Sequence, residues 1–151
     1  MIDAARFRDA LARWASGVTI IAFRTDERVV ATTVSAFTSL SAEPPLILIA
    51  LGPNATVRPF LQIGRPFTVN ILAAEQRRLA TIYADPFPVG PEPFPAAGDP
   101  VIAGSLASLR CTVERVADGG DHAIVIARVD DAEWRDGAPL IRYKRRYRVL
   151  D

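Results

Sequence analysis

Six hydroxyl side chains surround one phenylalanine in a short stretch of the sequence. They belong to Thr32, Thr33, Ser35, Thr38, Ser39 and Ser41, and the phenylalanine is Phe37. No charged residue interrupts them before Glu43, so an extended segment here offers hydroxyl and backbone N–H donors together. A bound phosphate needs donors of this kind. The alternative is a Ser/Thr-rich edge strand that binds nothing.

The residues that follow favour the ligand-binding interpretation. Pro44 and Pro45 end the hydroxyl stretch, and the unbroken apolar run Leu46–Leu51 comes next. Such a run predicts a buried strand. The hydroxyl stretch is therefore expected beside the core.

Other groups that could do chemistry are few. His122 is the single histidine and no cysteine cluster is present, so we predict no metal site. The Gly-x-Ser-x-Gly and Gly-x-Gly-x-x-Gly motifs are both absent. If the protein is an enzyme, a cofactor must supply the reactivity. By default, a lone histidine at the start of an apolar strand is structural, satisfied by a carbonyl or by Asp121.

The first half of the chain is predicted to form a helix and then strands. Asp3 can cap a helix in which Phe7, Leu11 and Trp14 make one buried stripe. Strands follow at 18–23, 29–34 and 46–51. After the turn at 52–56, Asn54 or Thr56 could cap a short helix over 57–63, where Arg58 and the helix N-terminus would attract a phosphate. An ordinary capped helix with a solvated arginine is equally open.

The middle of the chain contains a proline-rich segment. A strand at 67–72 includes Asn70, which needs hydrogen-bond partners if it is buried. A helix is predicted over 73–83. The prolines of residues 85–100 exclude a helix or a central strand and predict a surface loop, either inert or a flap over a site. Phe87 and Phe94 favour the flap.

The last third alternates like antiparallel strands. Strands are predicted around 109–114 and 122–129, at Glu133 and Trp134, and at 140–143 and 147–150, with turns between them. Many short strands and few helices predict a mainly β fold. We expect a closed antiparallel β-barrel with a few flanking helices, in a single domain over 1–151.

Composition narrows the class of protein. The chain has 151 residues, half of them hydrophobic, and a formal net charge of only +1, which argues against a dedicated nucleic-acid binder and against disorder. Cys111 is the single cysteine and is predicted to be packed and inert, which suits a reducing compartment. No signal peptide or membrane span is recognisable, so we expect a soluble cytoplasmic protein without membrane contact.

The order of several motifs resembles the flavin reductase family with the FMN-binding split-barrel fold. These motifs are residues 16–19, 33–41, Pro44 and Pro45, 67–72, Leu106 and Ala107, Cys111, 120–122, 139–141 and Tyr147. The resemblance implies a Greek-key-like split barrel. It also implies an enzyme in which NADH or NADPH reduces FMN or FAD. The expected partners are a second copy, in a homodimer, and a flavin-dependent monooxygenase that receives reduced flavin.

The same resemblance implies site residues. The family places the flavin phosphate between the turn at 52–56 and the hydroxyl stretch. The flavin-contacting candidates are Thr33, Ser35, Ala36, Phe37, Ser39, Leu40, Ser41, Asn54, Thr56 and Arg58. The nicotinamide candidates are His122, which would position NAD(P)H, with Asp121 and Tyr147. Ala127 stands where the family pattern has a glycine.

Positive charge is concentrated near the C-terminus, in Arg142, Lys144, Arg145, Arg146 and Arg148. A solvated hairpin face is the favoured interpretation. Attraction of the nicotinamide pyrophosphate, or of the adenylate part of FAD, is the alternative. Tyr147 could stack on a ring or complete the core.

Two other functions remain open. A flavin-dependent oxidase, of the pyridoxamine phosphate oxidase type, would hold FMN tightly and reduce oxygen directly. A flavin-binding module would bind without turnover.

Overall fold

The computed structural model describes residues 1–150 and is mainly β. The helices are α1 (Ala4–Leu11) and α2 (Arg77–Tyr83), with short 3₁₀ turns at Arg58–Phe60 and Ala74–Gln76. The strands are β1 (Ser16–Gly17), β2 (Thr19–Arg24), β3 (Val29–Val34), β4 (Phe37–Ser41), β5 (Leu46–Leu51), β6 (Pro66–Ile71), β7 (Ala107–Gly119), β8 (His122–Trp134), β9 (Leu140–Tyr143) and β10 (Arg146–Val149). Asp151, the last residue of the predicted domain, lies outside the described residues.

Seven strands form one antiparallel sheet in the order β3-β2-β6-β7-β8-β5-β4. A smaller sheet has the order β1-β9-β10. The two edges of the large sheet, β3 and β4, are consecutive in the chain and are joined by Ser35 and Ala36 alone. Several of the predicted strands are confirmed, and the bounds of β3 and β5 match the prediction.

The predicted closure of the barrel is not observed, because within residues 1–150 no backbone ladder joins β3 to β4. The backbone of Ala36 explains this break. Its carbonyl accepts a hydrogen bond from the amide of Ala50 at 2.9 Å, so the chain continues along β5 instead of turning back beside β3. The sheet therefore keeps two edges, which meet at Ser35 and Ala36.

The large sheet is buried on both faces. On one face Phe23 stacks on Phe67, with ring centroids 5.0 Å apart, within a cluster that includes Ile49 and Val125. On the other face, Tyr83 of α2 and Leu140 of β9 pack against strand residues such as Ile20. Double burial explains why β2 carries five successive buried residues instead of an alternating pattern.

The N-terminal helix begins as predicted, because Asp3 Oδ1 accepts a hydrogen bond from the Arg6 amide at 2.8 Å. The predicted buried stripe is wrong for this single chain. Phe7, Leu11 and Trp14 are 53%, 53% and 78% exposed. The physical reason is that α1 lies outside both hydrophobic clusters, so its apolar face has nothing in the chain to pack against.

The proline-rich segment at 85–100 forms neither helix nor strand, as predicted, and its second half is anchored to the sheet. Arg24 donates hydrogen bonds to the carbonyls of Pro95 and Gly98, both at 2.5 Å. Phe94 packs edge-on against Tyr83, with centroids 5.7 Å apart. Phe87, in the first half, is 82% exposed. The two halves therefore differ in how firmly they are held.

Two buried residues behave as their types predict. The Asn70 side chain is fully buried and hydrogen-bonded, as expected for an amide among apolar neighbours. Burial raises the pKa of the Cys111 thiol to about 12, with a further contribution from Asp130. The prediction of a packed cysteine is confirmed. Neither helix of residues 1–150 has the length and apolar character that a bilayer-spanning helix needs.

Candidate functional site

A shallow groove lies where the two edges of the large sheet meet. It consists of three adjoining depressions of about 440, 200 and 140 Å³. The first lies between the turn at 52–56 and Ala84, just after α2. The second is lined by residues 32–36 and His122, and the third extends to Tyr147. Neighbouring depressions share lining residues, so they form one surface, called the groove below.

The hydroxyls at the groove are not equivalent. The Thr33 hydroxyl donates to the carbonyl of Ala80 at 2.7 Å, which fixes β3 against α2. The Thr56 hydroxyl donates to the carbonyl of Ala31 at 3.4 Å. Ser35 is exposed and its hydroxyl makes no hydrogen bond within residues 1–150, so its donor remains available to a ligand. Thr33 and Thr56 can still accept hydrogen bonds through their lone pairs.

Besides Arg58, four predicted flavin contacts do not line the groove: Phe37, Ser39, Leu40 and Ser41. They lie on β4, which pairs antiparallel with β5 and therefore leads away from the turn at 52–56. Each residue along a strand adds about 3.3 Å, so the far end of β4 is well separated from Ala36. Phe37 instead packs against the core cluster, and Leu40 is 46% exposed.

The turn at 52–56 lacks the predicted helix over 57–63. Only a 3₁₀ turn forms, at Arg58–Phe60; its N-cap is Val57, with no side-chain cap, so neither Asn54 nor Thr56 acts as the cap. Pro59 lies within this turn, and a three-residue turn has no appreciable macrodipole. The prediction of a helix N-terminus that attracts phosphate is therefore wrong, although Asn54 and Thr56 do line the groove.

Arg58 connects the turn to the hairpin between β7 and β8. Its Nη1 donates to the carbonyl of Leu51 at 3.3 Å and to that of Asp121 at 3.2 Å. The side chain thereby brings the end of β5 and the start of β8 together. Its role in the structure is to position the groove's border.

His122 lies at the groove with a defined orientation. Its Nδ1 is 2.7 Å from Asp121 Oδ1, and the pKa of Asp121 is lowered, first by this hydrogen bond and then by the charge of the ring. An ionised carboxylate only accepts, so Nδ1 carries the hydrogen, and Nε2 has a free lone pair whenever the ring is uncharged. Nε2 lies beside Gly52, 3.6 Å from the position a Cβ would occupy there. The imidazole therefore offers a fixed acceptor next to the turn.

Tyr147 lines the third depression with Thr33, Ser35 and Arg142. Burial raises the pKa of its phenol, and the charges of Arg142 and Arg77 oppose that change. The structure thus places Tyr147 and His122 on one groove but at different depressions. Sequence reasoning missed Ala84 and Pro86 of the lining, because nothing in the sequence relates the end of α2 to the turn at 52–56.

The groove suits binding better than covalent chemistry. The Cys111 thiol is buried away from it, and the only hydrogen bond of the His122 ring within residues 1–150 is to Asp121. A nucleophile needs an adjacent base within hydrogen-bond reach. The polar groups present, namely Ser35, the lone pairs of Thr33 and Thr56, and His122 Nε2, can hold an extended polar ligand.

Comparisons with known proteins agree with this description. The family described as "Flavin reductase like domain" matches residues 11–151. The reductase component of 4-hydroxyphenylacetate 3-monooxygenase from Thermus thermophilus is 39% identical over 145 residues, 95% of each chain. An NADH-dependent flavin reductase of Rhodococcus sp is 32% identical, over 95% of this chain and 85% of that protein. The structure of the NADH:FAD oxidoreductase SgcE6 from Streptomyces globisporus gives a TM-score of 0.90 at 28% identity, covering 100% of this chain and 96% of that one.

Proposed function

Because this chain belongs to the flavin reductase-like family, we propose that it oxidises NADH or NADPH and reduces FMN or FAD by hydride transfer. The relatives named NADH-dependent flavin reductase and monooxygenase reductase component support this activity. They also support a flavin-dependent monooxygenase as the partner that consumes reduced flavin. The flavin supplies the hydride-accepting ring when bound, so the protein needs only to bind and orient two ligands.

The groove fits such a ligand. Ser35 offers an unpartnered hydroxyl, Ala36 leaves open space beside it, and Thr33, Asn54 and Thr56 add polar atoms around the same depressions. A flavin carries a phosphorylated chain and a planar ring with several acceptors, and hydroxyl and backbone donors satisfy both. We assign these residues to flavin binding, with Arg58 as the residue that holds the border in place.

The observation that carries the proposal is the fixed imidazole at the same groove. Asp121 holds His122 by the 2.7 Å contact, so Nε2 keeps one orientation beside Gly52. A neutral Nε2 accepts an N–H, which suits the carboxamide of a nicotinamide. His122 then positions NAD(P)H, Asp121 positions His122, and Tyr147 borders the other end of the site.

The assembly is proposed to be a homodimer. Phe7 and Leu11 of α1, with Trp14 just after the helix, are exposed apolar side chains, and removing such a surface from water is a strong drive to associate. A second copy would also cover exposed parts of β4, and only in that way would Phe37, Ser39, Leu40 and Ser41 reach a flavin. In this proposal the two sheet edges at Ser35 and Ala36 are the opening of the split barrel.

The loop and the location complete the proposal. Phe87 is exposed and Pro86 lines the groove, so we assign the weakly anchored first half of the 85–100 segment to a flap. A cytoplasmic location suits the free, buried Cys111 and a nicotinamide substrate.

The test is NADH oxidation by the purified protein with increasing free FMN or FAD. The proposal expects oxidation that rises with flavin concentration and saturates. Oxidation that ignores added flavin and consumes oxygen through a tightly held FMN would indicate the oxidase type. Flavin binding without oxidation of NADH or NADPH would indicate a binding module. Either of these two results refutes the reductase.

A further inference from the structure

A cluster of arginines adjoins the groove at the Tyr147 end. It lines a depression of about 410 Å³, called the arginine depression here. Its members are Arg77, Arg142, Arg145, Arg146 and Arg148, together with Tyr147. Arg142 and Tyr147 also line the third depression of the groove, beside Thr33 and Ser35. A ligand lying in the groove can therefore extend directly into the arginine depression.

Two elements bring cations to the same aromatic ring. Arg142 and Tyr147 are cross-strand partners in β9 and β10, and the Arg142 guanidinium carbon lies 5.0 Å from the ring centroid. Arg77 approaches from the start of α2, close enough for its charge to act on the Tyr147 phenol. The depression is thus held by packed secondary structure, and Arg142 is kept in place by its contact with the ring.

The positive charge in the arginine depression is poorly compensated within the chain. Elsewhere Arg110, Arg128 and Arg135 contact carboxylates, and others such as Arg78 and Arg115, which form no salt bridge in the part of the chain that the structure describes, lie outside this cluster. In the depression only Arg145 contacts a carboxylate, that of Asp9 at 2.6 Å; Arg77, Arg142, Arg146 and Arg148 form no salt bridge within residues 1–150. Like charges held this close repel each other unless an anion lies between them. The whole chain carries a net charge of only +1, so this local excess is a specific feature and not a general one.

The turn between β9 and β10 carries part of this charge, and its two residues are not the types that best tolerate its backbone conformation. The two residues between β9 and β10, Lys144 and Arg145, have φ angles of 48° and 62°. Asn and Gly occupy this left-handed region at lower cost in two-residue hairpins. Backbone strain that persists at a site is a pointer to function. Here the strained positions hold two cations.

We propose that the arginine depression binds the diphosphate of the adenosine half of a dinucleotide whose other half lies in the groove at Thr33 and Ser35. This inference rests on the proposed function, which supplies the dinucleotides. FAD and NAD(P)H share an ADP moiety, and FMN lacks it. Planar guanidinium groups match phosphate oxygens in pairs, which makes arginine the suitable side chain.

ADP is the direct probe, because its binding needs neither flavin nor hydride transfer. The melting temperature (Tm) should rise with ADP in the wild type and in Arg115→Gln, an exposed arginine of β7 outside the depression. The rise should be smaller in Lys144→Asn/Arg145→Gly, whose own Tm should not fall, since the new pair suits the turn. Arg146→Gln/Arg148→Gln, which removes two lining arginines that form no salt bridge among the described residues, should abolish the rise. An equal rise in all proteins, or none in the wild type, overturns the proposal.

Binding constants then identify which dinucleotide uses the site. If it is the flavin, the arginine variants weaken FAD by roughly three- to tenfold, by fluorescence titration, and leave FMN unchanged. If it is the nicotinamide, the KM for NADH rises similarly and that for reduced nicotinamide mononucleotide does not. The proposal is refuted if the arginine variants affect FAD and FMN equally and also affect NADH and reduced nicotinamide mononucleotide equally. It is also refuted by an effect confined to delivery of reduced flavin to an oxygenase, which would assign the cluster to partner docking. ADP binding without NADH oxidation would instead refute the reductase activity alone.

Discussion

Replacing Asn70 with alanine should destabilise the protein strongly, because its amide joins the sheet to the segment after the proline-rich loop. Nδ2 donates to Thr68 Oγ1 and to the carbonyl of Pro100, both at 3.2 Å. Oδ1 accepts from the Ile102 amide at 2.9 Å and from the Ser108 hydroxyl at 3.0 Å. Thr68 can still donate to Pro100, so the groups left without a partner are the donors of Ile102 and Ser108.

These two orphaned donors set the magnitude. Each buried group that loses its partner costs about 1–3 kcal/mol, and the missing amide leaves a small void, so the expected loss is about 3–5 kcal/mol. Urea unfolding followed by far-ultraviolet circular dichroism measures it. Limited proteolysis within residues 85–100 should also accelerate, because Pro100 and Ile102 lose an anchor. Asn54→Ala, in an exposed turn, is the control and should change stability by less than about 0.5 kcal/mol. A loss below about 1 kcal/mol for Asn70→Ala would refute the reasoning.

Four further predictions concern the site, the thiol and the assembly. Asp121→Asn should raise the KM for NADH several-fold and leave the flavin constants unchanged, because an amide no longer fixes the His122 tautomer. Asp118→Asn is the control. Equal effects on NADH and flavin would contradict the assignment of His122 and Asp121 to nicotinamide binding. His122→Ala should likewise raise the requirement for NADH more than that for flavin. Iodoacetamide at pH 8 should spare Cys111 in the folded protein. A pKa of about 12, against 9 for an unperturbed thiol, reduces the thiolate fraction roughly a thousandfold. Rapid labelling without urea would show that the thiol is not packed. Sedimentation should show that the wild type is a dimer and that Phe7→Ser/Trp14→Ser dissociates it. Trp134 is as exposed as Trp14, so Trp134→Ser is the control and should remain a dimer. A monomeric wild type would refute the proposed interface.

Local patterns predicted the elements whose neighbours in the sequence determine them. The apolar run at β5, the hairpin partner β3 and the Asp3 cap depend on residues within a few positions, and they form as expected. The helix predicted over 57–63 is replaced by a 3₁₀ turn at Arg58–Phe60. Arg58 of this turn donates a hydrogen bond to the carbonyl of Asp121, and a contact with a residue so far along the chain is not visible in a local sequence pattern.

Long-range placement was the part that the sequence could not determine. The stripe of Phe7, Leu11 and Trp14 was correctly periodic, but periodicity does not say what covers a face. The hydroxyl stretch was predicted as one site, yet it divides at Ala36, whose hydrogen bond to Ala50 sends the rest of the stretch along β4. His122, Thr33, Ser35 and Tyr147 do share a groove, although they are far apart in the chain.

The most direct test of the flavin site is an FMN titration of variants that fill the groove. Ala36 is exposed and lines the 200 Å³ depression, so Ala36→Trp should fold normally and occupy the flavin's space. Arg115→Trp places the same side chain on an exposed position of β7, outside the groove, as the control. We predict that Ala36→Trp weakens FMN binding at least about tenfold and that Arg115→Trp leaves it near the wild-type value. Equal dissociation constants for the two variants would contradict a flavin site at this groove.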